Sequence, residues 1–290
     1  MLDIEWLEPT SIPEAVELCA RYGEEAKILA GGTWLAIVLR QGLLMPSALI
    51  SLHRVPGLNH ISYAPGTGLR LGALVTHRAV ELDPTVRRYY PALAHTYGQV
   101  ANVRVRHQAT VGGNLCDADY ASDPPAMLAA LNAQVRLLGA SGERCIAVRE
   151  FITGHYETVI RPDELLVEVI VPELPAGTRG TYLKYRTRSS EDRPCVGVAA
   201  VAAFDPDGHC RELQVVVGAV AGRPQIVPAA LEHARGERLS RVLIDTIAAR
   251  YAEAIDPLDD LRGSAWYRKR MIEVFVRRAL EEVARDRPGS

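Results

Sequence analysis

Two glycine pairs, Gly31-Gly32 and Gly112-Gly113, constrain this chain more than any other feature. The first follows a short apolar strand, Lys27-Ile28-Leu29-Ala30, and precedes Trp34 to Arg40, which has helix-forming composition. The second lies in Thr110-Val111-Gly112-Gly113-Asn114, read as a glycine turn after a helix over Leu93 to Val103. A glycine pair at such a junction lets backbone approach a ligand closely and aim N–H groups at it, a natural phosphate cradle. One isolated pair is most often a plain tight turn. Two in one domain say more, because a pyrophosphate has two charged groups and two amide nests can hold it from both sides. Neither pair fits the Rossmann fingerprint or the P-loop pattern.

The surrounding pattern predicts mixed α and β structure. Ser11-Ile12-Pro13-Glu14 fits a capping box, apolar residues recur from Ala15 to Tyr22, and Gly23 is a stop signal. Ala48 to Leu52 and Gly68 to Gly72 read as strands, and Gln134 to Leu138 with Arg144 to Val148 as a hairpin around Ala140-Ser141-Gly142. Leu165 to Val171 is a strand ended by Pro172. Pro172 to Gly180 holds two prolines and two glycines and is the candidate linker. Beyond it come three strand-like runs, Thr181 to Thr187, Val196 to Phe204 and Glu212 to Val220. Three helical runs follow, Val227 to Arg235, Arg241 to Ala254 and Ala265 to Ala284. Strands followed by helices indicate an α+β domain. No repeat or low-complexity tract interrupts the pattern.

Composition narrows the partners. Lys plus Arg is 33 and Asp plus Glu is 35, a net charge of −2, which leaves no basic excess for a nucleic-acid backbone. Five cysteines without a CxxC pair argue against a disulfide framework and against a zinc or iron–sulfur site made by this chain alone. The eight histidines show no HExxH spacing. Met1 to Pro9 lacks the form of a signal peptide, and no apolar run is long enough to span a membrane, so the chain reads as cytoplasmic.

Two further residues carry open alternatives. Asp123, before a helix running through Leu131, is a helix cap or a carboxylate for ribose hydroxyls. Lys184 lies in an alternating strand, where a solvated lysine is the usual outcome.

At the glycine pairs the sequence resembles a known family. Lys27-Ile28-Leu29-Ala30-Gly31-Gly32-Thr33 and Ala109-Thr110-Val111-Gly112-Gly113-Asn114, followed by Ala121-Ser122-Asp123-Pro124-Pro125, resemble the flavin-binding subunits of the molybdenum hydroxylases. That group includes the medium subunits of carbon monoxide dehydrogenase and the FAD subunits of xanthine dehydrogenase. Tyr182-Leu183-Lys184 through Val198-Ala199, and Arg262-Gly263-Ser264-Ala265-Trp266-Tyr267-Arg268, extend the resemblance over nearly the whole chain. It implies a two-subdomain FAD-binding domain of the vanillyl-alcohol oxidase and p-cresol methylhydroxylase type, over residues 1–175 with subdomains of about 1–55 and 56–175. A small C-terminal α+β domain, a three-stranded antiparallel sheet with three helices, would cover 176–290.

By the same resemblance, Lys27, Ile28 and Leu29 lead into Ala30, Gly31, Gly32, Thr33 and Trp34, which would wrap one side of the FAD pyrophosphate. Thr110, Gly112, Gly113 and Asn114 would wrap the other, Asp123 would hold the ribose, and Leu166 and Lys184 would approach the flavin ring. Lys184 would stabilise negative charge on the reduced ring. Three departures stand out: Trp34 where a small or polar residue is common, Tyr120 where proline is common, and the Cys116-Asp117 pair. Trp34 would crowd the phosphate or shield it. The chain lacks the cysteine-rich insert of the 4-hydroxybenzoyl-CoA reductase version, which weighs against an extra cluster.

The resemblance implies a non-covalent FAD subunit with no acid or base of its own. Its partners would be a large molybdopterin-binding subunit with the molybdenum cofactor and a small subunit with two [2Fe–2S] clusters, in a dimer of heterotrimers. Electrons would pass through FAD to an external acceptor. The competing expectations are a stand-alone flavin oxidase and a scaffold subunit that has lost FAD.

Overall fold

The computed structural model describes residues 4–189 and 191–285. Met1 to Asp3, part of the start read above as unlike a signal peptide, lie outside them. Three sheets carry the fold, with a short two-stranded ribbon beside them. The first is parallel, in the order β1-β3-β2, from β1 (Glu5–Leu7), β2 (Ala26–Leu29) and β3 (Ala48–Ser51). The Ile12–Tyr22 helix covers it, burying Ala15, Val16 and Cys19 against Ala48 and Ile50. The Ser11 hydroxyl caps this helix at the Glu14 N–H (3.3 Å), and Gly23 ends it at φ 54°. The Glu14 carboxylate closes the box one residue earlier than the motif predicts, accepting from the Thr10 N–H (2.7 Å) and hydroxyl (2.9 Å).

The second sheet is antiparallel. It contains β4 (Ile61–Ala64), β5 (Gly68–Gly72), β6 (Gln134–Gly139) and β7 (Gly142–Ala147). After the ribbon of β8 (Ile152–Gly154) and β9 (Glu157–Thr158) comes its central strand, β10 (Glu164–Val171). The order is β4-β5-β10-β6-β7. Leu165 and Val167 of β10 face the core of the first sheet, whereas Leu166, Val169 and Val171 join the main core with Leu69, Leu71, Val111 and Leu115.

The third sheet is antiparallel, in the order β11 (Thr178–Tyr185), β12 (Val196–Phe204), β13 (Cys210–Gly218). Val198, Ala200, Ala202, Val215 and Val217 pack under the Arg241–Ala254 and Ala265–Ala284 helices. Tyr182, Ala199, Val201 and Val216 on the other face join the main core, against the Pro124–Ala130 helix. Cover on both faces explains why β12 is an unbroken apolar run rather than an alternating one.

Four elements differ from expectation. The candidate linker Pro172 to Gly180 runs into β11 from Thr178, and the helical run expected over Val227 to Arg235 is a short helix, Pro228–Leu231, followed by a 3-10 turn, Glu232–Ala234. The helix predicted over Leu93 to Val103 is two helices, Pro91–Gly98 and Val103–Gln108. Ala101 adopts a left-handed φ of 42°, and Asn102 caps a new helix at the Val105 N–H (3.1 Å). Gly112 and Gly113 form no turn ahead of a helix, because they lie in the first turn of the Val111–Asp117 helix itself. Thr110 caps that helix at the Gly113 N–H, and the lack of a side chain at Gly112 admits Ala73, whose Cβ would stand 2.7 Å from one built there.

Candidate flavin site

The two glycine segments touch. A Cβ on Gly31 would overlap the Gln108 carbonyl oxygen and lie 2.7 Å from its carbon, so only glycine lets the first loop reach the backbone before the second. A Cβ on Gly113 would lie 3.7 Å from that of Ala30, which sets the two segments face to face. Gly32 turns the first loop with φ +67°, a left-handed conformation that glycine adopts without penalty.

The segments differ in what they offer an anion. Gly31, Gly32, Thr33 and Trp34 are half-buried, and their four N–H groups donate to nothing among the described residues. Successive free amides at such a bend form an anion nest. The second segment has spent its amides: Gly112 donates to the Ala73 carbonyl (2.9 Å), Gly113 to the Thr110 hydroxyl (3.2 Å) and Asn114 to the Thr110 carbonyl (2.9 Å). It offers instead a smooth glycine wall and two polar side chains, the Thr110 hydroxyl and the Asn114 carboxamide. The Asn114 carboxamide bonds the Ser122 hydroxyl at 2.7 Å, while its other end is buried without a partner among the described residues. Rotating the amide by half a turn lets Ser122 donate and leaves the Asn114 NH2 for a ligand. The expectation of two amide nests thus resolves into one nest and one cradle.

Lys27, Ile28 and Leu29 lie in β2, half-buried, and deliver Ala30 to the nest. Leu166 is buried in the main core. Its neighbour Val167 accepts the Ala73 N–H, and Ala73 in turn accepts from Gly112, so β10 backs the second segment through two hydrogen bonds.

Asp123 and Lys184 form a buried pair. The Lys184 ammonium sits 2.8 Å from Asp123 Oδ2 and donates to the Gln99 carbonyl at 2.9 Å, with its side chain 1% exposed. The Tyr182 hydroxyl donates to Asp123 Oδ1 at 2.7 Å. Asp123 makes no capping bond to the helix that follows it. Burial lifts the Asp123 carboxyl above its ordinary value and lowers Lys184 below its own, each against the pull of the partner's charge. Lys184 is therefore not the solvated strand lysine that alternation alone suggests. Sequence reasoning missed Tyr182 and Gln99 as its companions. Tyr182 shared a face with Lys184 by the two-residue period, and Gly197 on β12 leaves space where a Cβ would overlap the Tyr182 hydroxyl. Gln99 was hidden inside the predicted helix; the break at Ala101 leaves its carbonyl facing Lys184.

The departures have defined contacts. Trp34 stacks on Tyr156, with centroids 5.6 Å apart and planes 4° from parallel. The Tyr120 hydroxyl donates to Asp260 Oδ2 at 2.6 Å and accepts from Arg262 at 2.6 Å, which ties the segment after the second cup to the C-terminal helices. Asp117 is pushed up to about 7, by burial first and by the Asp119 charge second, against the opposing Arg193. Cys116 is exposed.

A run of free amides facing a glycine-lined helix start is an arrangement that suits a phosphate-bearing ligand. Residues 2–174 match the FAD binding domain in molybdopterin dehydrogenase, and residues 181–283 match the CO dehydrogenase flavoprotein C-terminal domain. The chain is 32% identical to the carbon monoxide dehydrogenase medium chain of Afipia carboxidovorans, over 94% of both. It is 33% identical to the 6-hydroxypseudooxynicotine dehydrogenase complex subunit alpha of Paenarthrobacter nicotinovorans, over 93% of this chain and 90% of the relative. Among solved structures, CO dehydrogenase from Oligotropha carboxidovorans superposes with a TM-score of 0.92 at 30% identity, over 97% of both chains. Quinoline 2-oxidoreductase from Pseudomonas putida 86 gives 0.90 at 30% identity, over 97% of this chain and 96% of that one. The chain belongs to the FAD-binding medium subunits of the molybdenum hydroxylase family, and it is an oxidoreductase subunit with an FAD-binding domain. The fold agrees with the expected α+β class. Among the described residues no helix is long and apolar enough to cross a membrane.

Proposed function

We propose that this chain is the FAD-binding electron-transfer subunit of a heteromeric molybdenum hydroxylase of the cytoplasm. FAD held by this chain would supply two-electron redox chemistry between [2Fe–2S] clusters of a small subunit and an external acceptor. The molybdenum cofactor belongs to a large subunit, and the assembly is a dimer of heterotrimers. What this chain does is bind and orient. The N–H groups of Gly31 to Trp34 hold the pyrophosphate from one side. Gly112 and Gly113 admit it closely on the other, with the Thr110 hydroxyl and the Asn114 carboxamide as donors. Asp123 holds the ribose and Leu166 approaches the ring. Lys184 is oriented toward the ring by Asp123 and Gln99, and the buried ion pair adds little net charge there.

One observation carries this reading: among the described residues, four amides of one segment and the buried end of Asn114 on the facing segment have no partner. Buried polar groups are satisfied in native proteins, so the open Asn114 end favours a ligand, and the half-buried amides opposite are free to bind the same anion. The test is the absorbance spectrum of the purified protein, with size-exclusion chromatography of the native complex. Flavin bands released by denaturation, co-eluting with molybdenum and iron, are expected. A flavin-free chain supports the scaffold reading, and a lone chain that turns over by itself supports the oxidase reading; either result overturns the proposal.

A further inference from the structure

Arg193 joins the segments that carry the nest and the cradle through contacts separate from the Gly31–Gln108 approach. Its Nη2 lies 2.8 Å from Asp119 Oδ2, and its guanidinium carbon stands 5.8 Å from the centroid of the Trp34 ring. Trp34 closes the amide nest, and Asp119 lies just past the helix that carries the glycine cradle. Asp119 is a firm anchor, since its other oxygen accepts the Ala121 N–H at 3.1 Å. A second bridge runs in parallel: Trp34 stacks on Tyr156, whose N–H donates to the Ala118 carbonyl at 3.1 Å. Tyr156 holds a left-handed φ of 56°, unusual for an aromatic residue and maintained only where the surroundings impose it. Trp34 is thus bound twice to the 118–119 segment, once through Tyr156 and once through Arg193.

We propose that Arg193 is a positioning residue that, with Trp34, sets the gap between the nest and the cradle and thereby the residence time of the flavin nucleotide. This rests on the FAD reading above. A diphosphate held from two sides needs those sides at a fixed separation. The glycine contact fixes it at one point, and the Trp34–Arg193–Asp119 link fixes it at a second. The tryptophan at this position retains the nucleotide rather than excluding it. The Arg193 side chain is 44% exposed, so the link forms at the surface and salt screens it.

The test uses the full-length chain and reads the rate of FAD release on dilution, from the recovery of free-flavin fluorescence, together with the melting temperature of the flavin-free protein. Arg193→Ala is expected to speed release about tenfold, the sum of one exposed ion pair and one cation–π contact. Trp34→Ala should do the same, and the double variant should fall short of the product of the two, because they remove one shared link. Arg193→Lys should recover part of the loss through the ion pair. Flavin-free melting temperatures should stay close to wild type, and release from wild type should quicken with salt while release from Arg193→Ala does not. Release from Arg193→Ala within about twofold of wild type, or strictly multiplicative effects, overturns the proposal and leaves the FAD reading intact. A wild-type chain that holds no flavin overturns both.

Discussion

Gly31→Ala is the most direct perturbation of the site. The added Cβ would overlap the Gln108 carbonyl oxygen and stand 2.7 Å from the Gln108 carbon and 3.2 Å from Ala109 Cα. Carbon atoms rest about 3.5–4.0 Å apart, so the loops must part by about 1 Å. Both obstacles are backbone, and no side chain can swing away. Overpacking of this kind costs about 1–3 kcal/mol of fold stability. The larger effect falls on the ligand. An N–H moved by about 1 Å from an acceptor leaves hydrogen-bonding range. Losing two bonds to a charged group, at about 1.5–3 kcal/mol each, predicts FAD affinity at least about 100-fold weaker. Gly32→Ala is the control: its Cβ meets only the flexible Leu29 Cδ1, at 3.2 Å, and the left-handed φ of +67° costs about 1–2 kcal/mol. Fluorescence titration of FAD into flavin-free protein, with a melting curve for each variant, reads both quantities. Gly31→Ala binding FAD as tightly as wild type, or Gly32→Ala binding more weakly than Gly31→Ala, would refute the argument that the contact between the two segments shapes the site.

Three further outcomes follow from the charged groups. Lys184→Met strands the buried Asp123 carboxylate and should cost about 3–5 kcal/mol, whereas the Asp123→Asn, Lys184→Met double variant should recover most of it; chemical denaturation checks both. The Asp117 carboxyl, pushed up to about 7, binds its proton in the native state over a range, from about pH 4 to 7, where the unfolded chain has released it. Stability therefore falls as pH rises through that window, and the melting-temperature advantage of Asp117→Asn should grow from pH 5 to pH 8. Asp260 behaves oppositely: burial alone would raise it, but bonds from Tyr120, the Arg262 N–H and Arg268 hold it near 2. Its contribution is complete above about pH 4 and lost as pH falls toward 2, so Arg268→Met should lower stability at neutral pH and flatten that acid limb.

Local pattern made much of the fold legible. Gly68 to Gly72, Val196 to Phe204, Arg241 to Ala254 and Ala265 to Ala284 occupy the elements their periodicity predicts. The misreadings share a cause. Gln99 to Asn102 has no glycine or proline to announce a break, and what ends the helix is the asparagine cap at Asn102 together with a strained Ala101. The second glycine pair reads as a turn until Ala73 is known to press against it. Long-range partners were equally hidden: the Asp123–Lys184 pair joins residues 61 positions apart, and Arg193 reaches Trp34 and Asp119 across the chain. Residue types were visible from the start, whereas their neighbours exist only once β12 and β13 lie against the Pro124–Ala130 helix and β11 against the Pro91–Gly98 helix.

The charges at the site suggest why backbone was used to build it. Two cations there each meet a carboxylate, Lys184 that of Asp123 and Arg193 that of Asp119. A bare lysine or arginine cluster would bind diphosphate, but it would bind any other polyanion as well and weaken with salt. Amide dipoles held by a glycine bend are directional and uncharged, so they select the shape of a diphosphate linkage rather than its charge. On this argument, salt should change the affinity of wild type mainly through the exposed Arg193 link, while recognition of the pyrophosphate itself stays nearly constant.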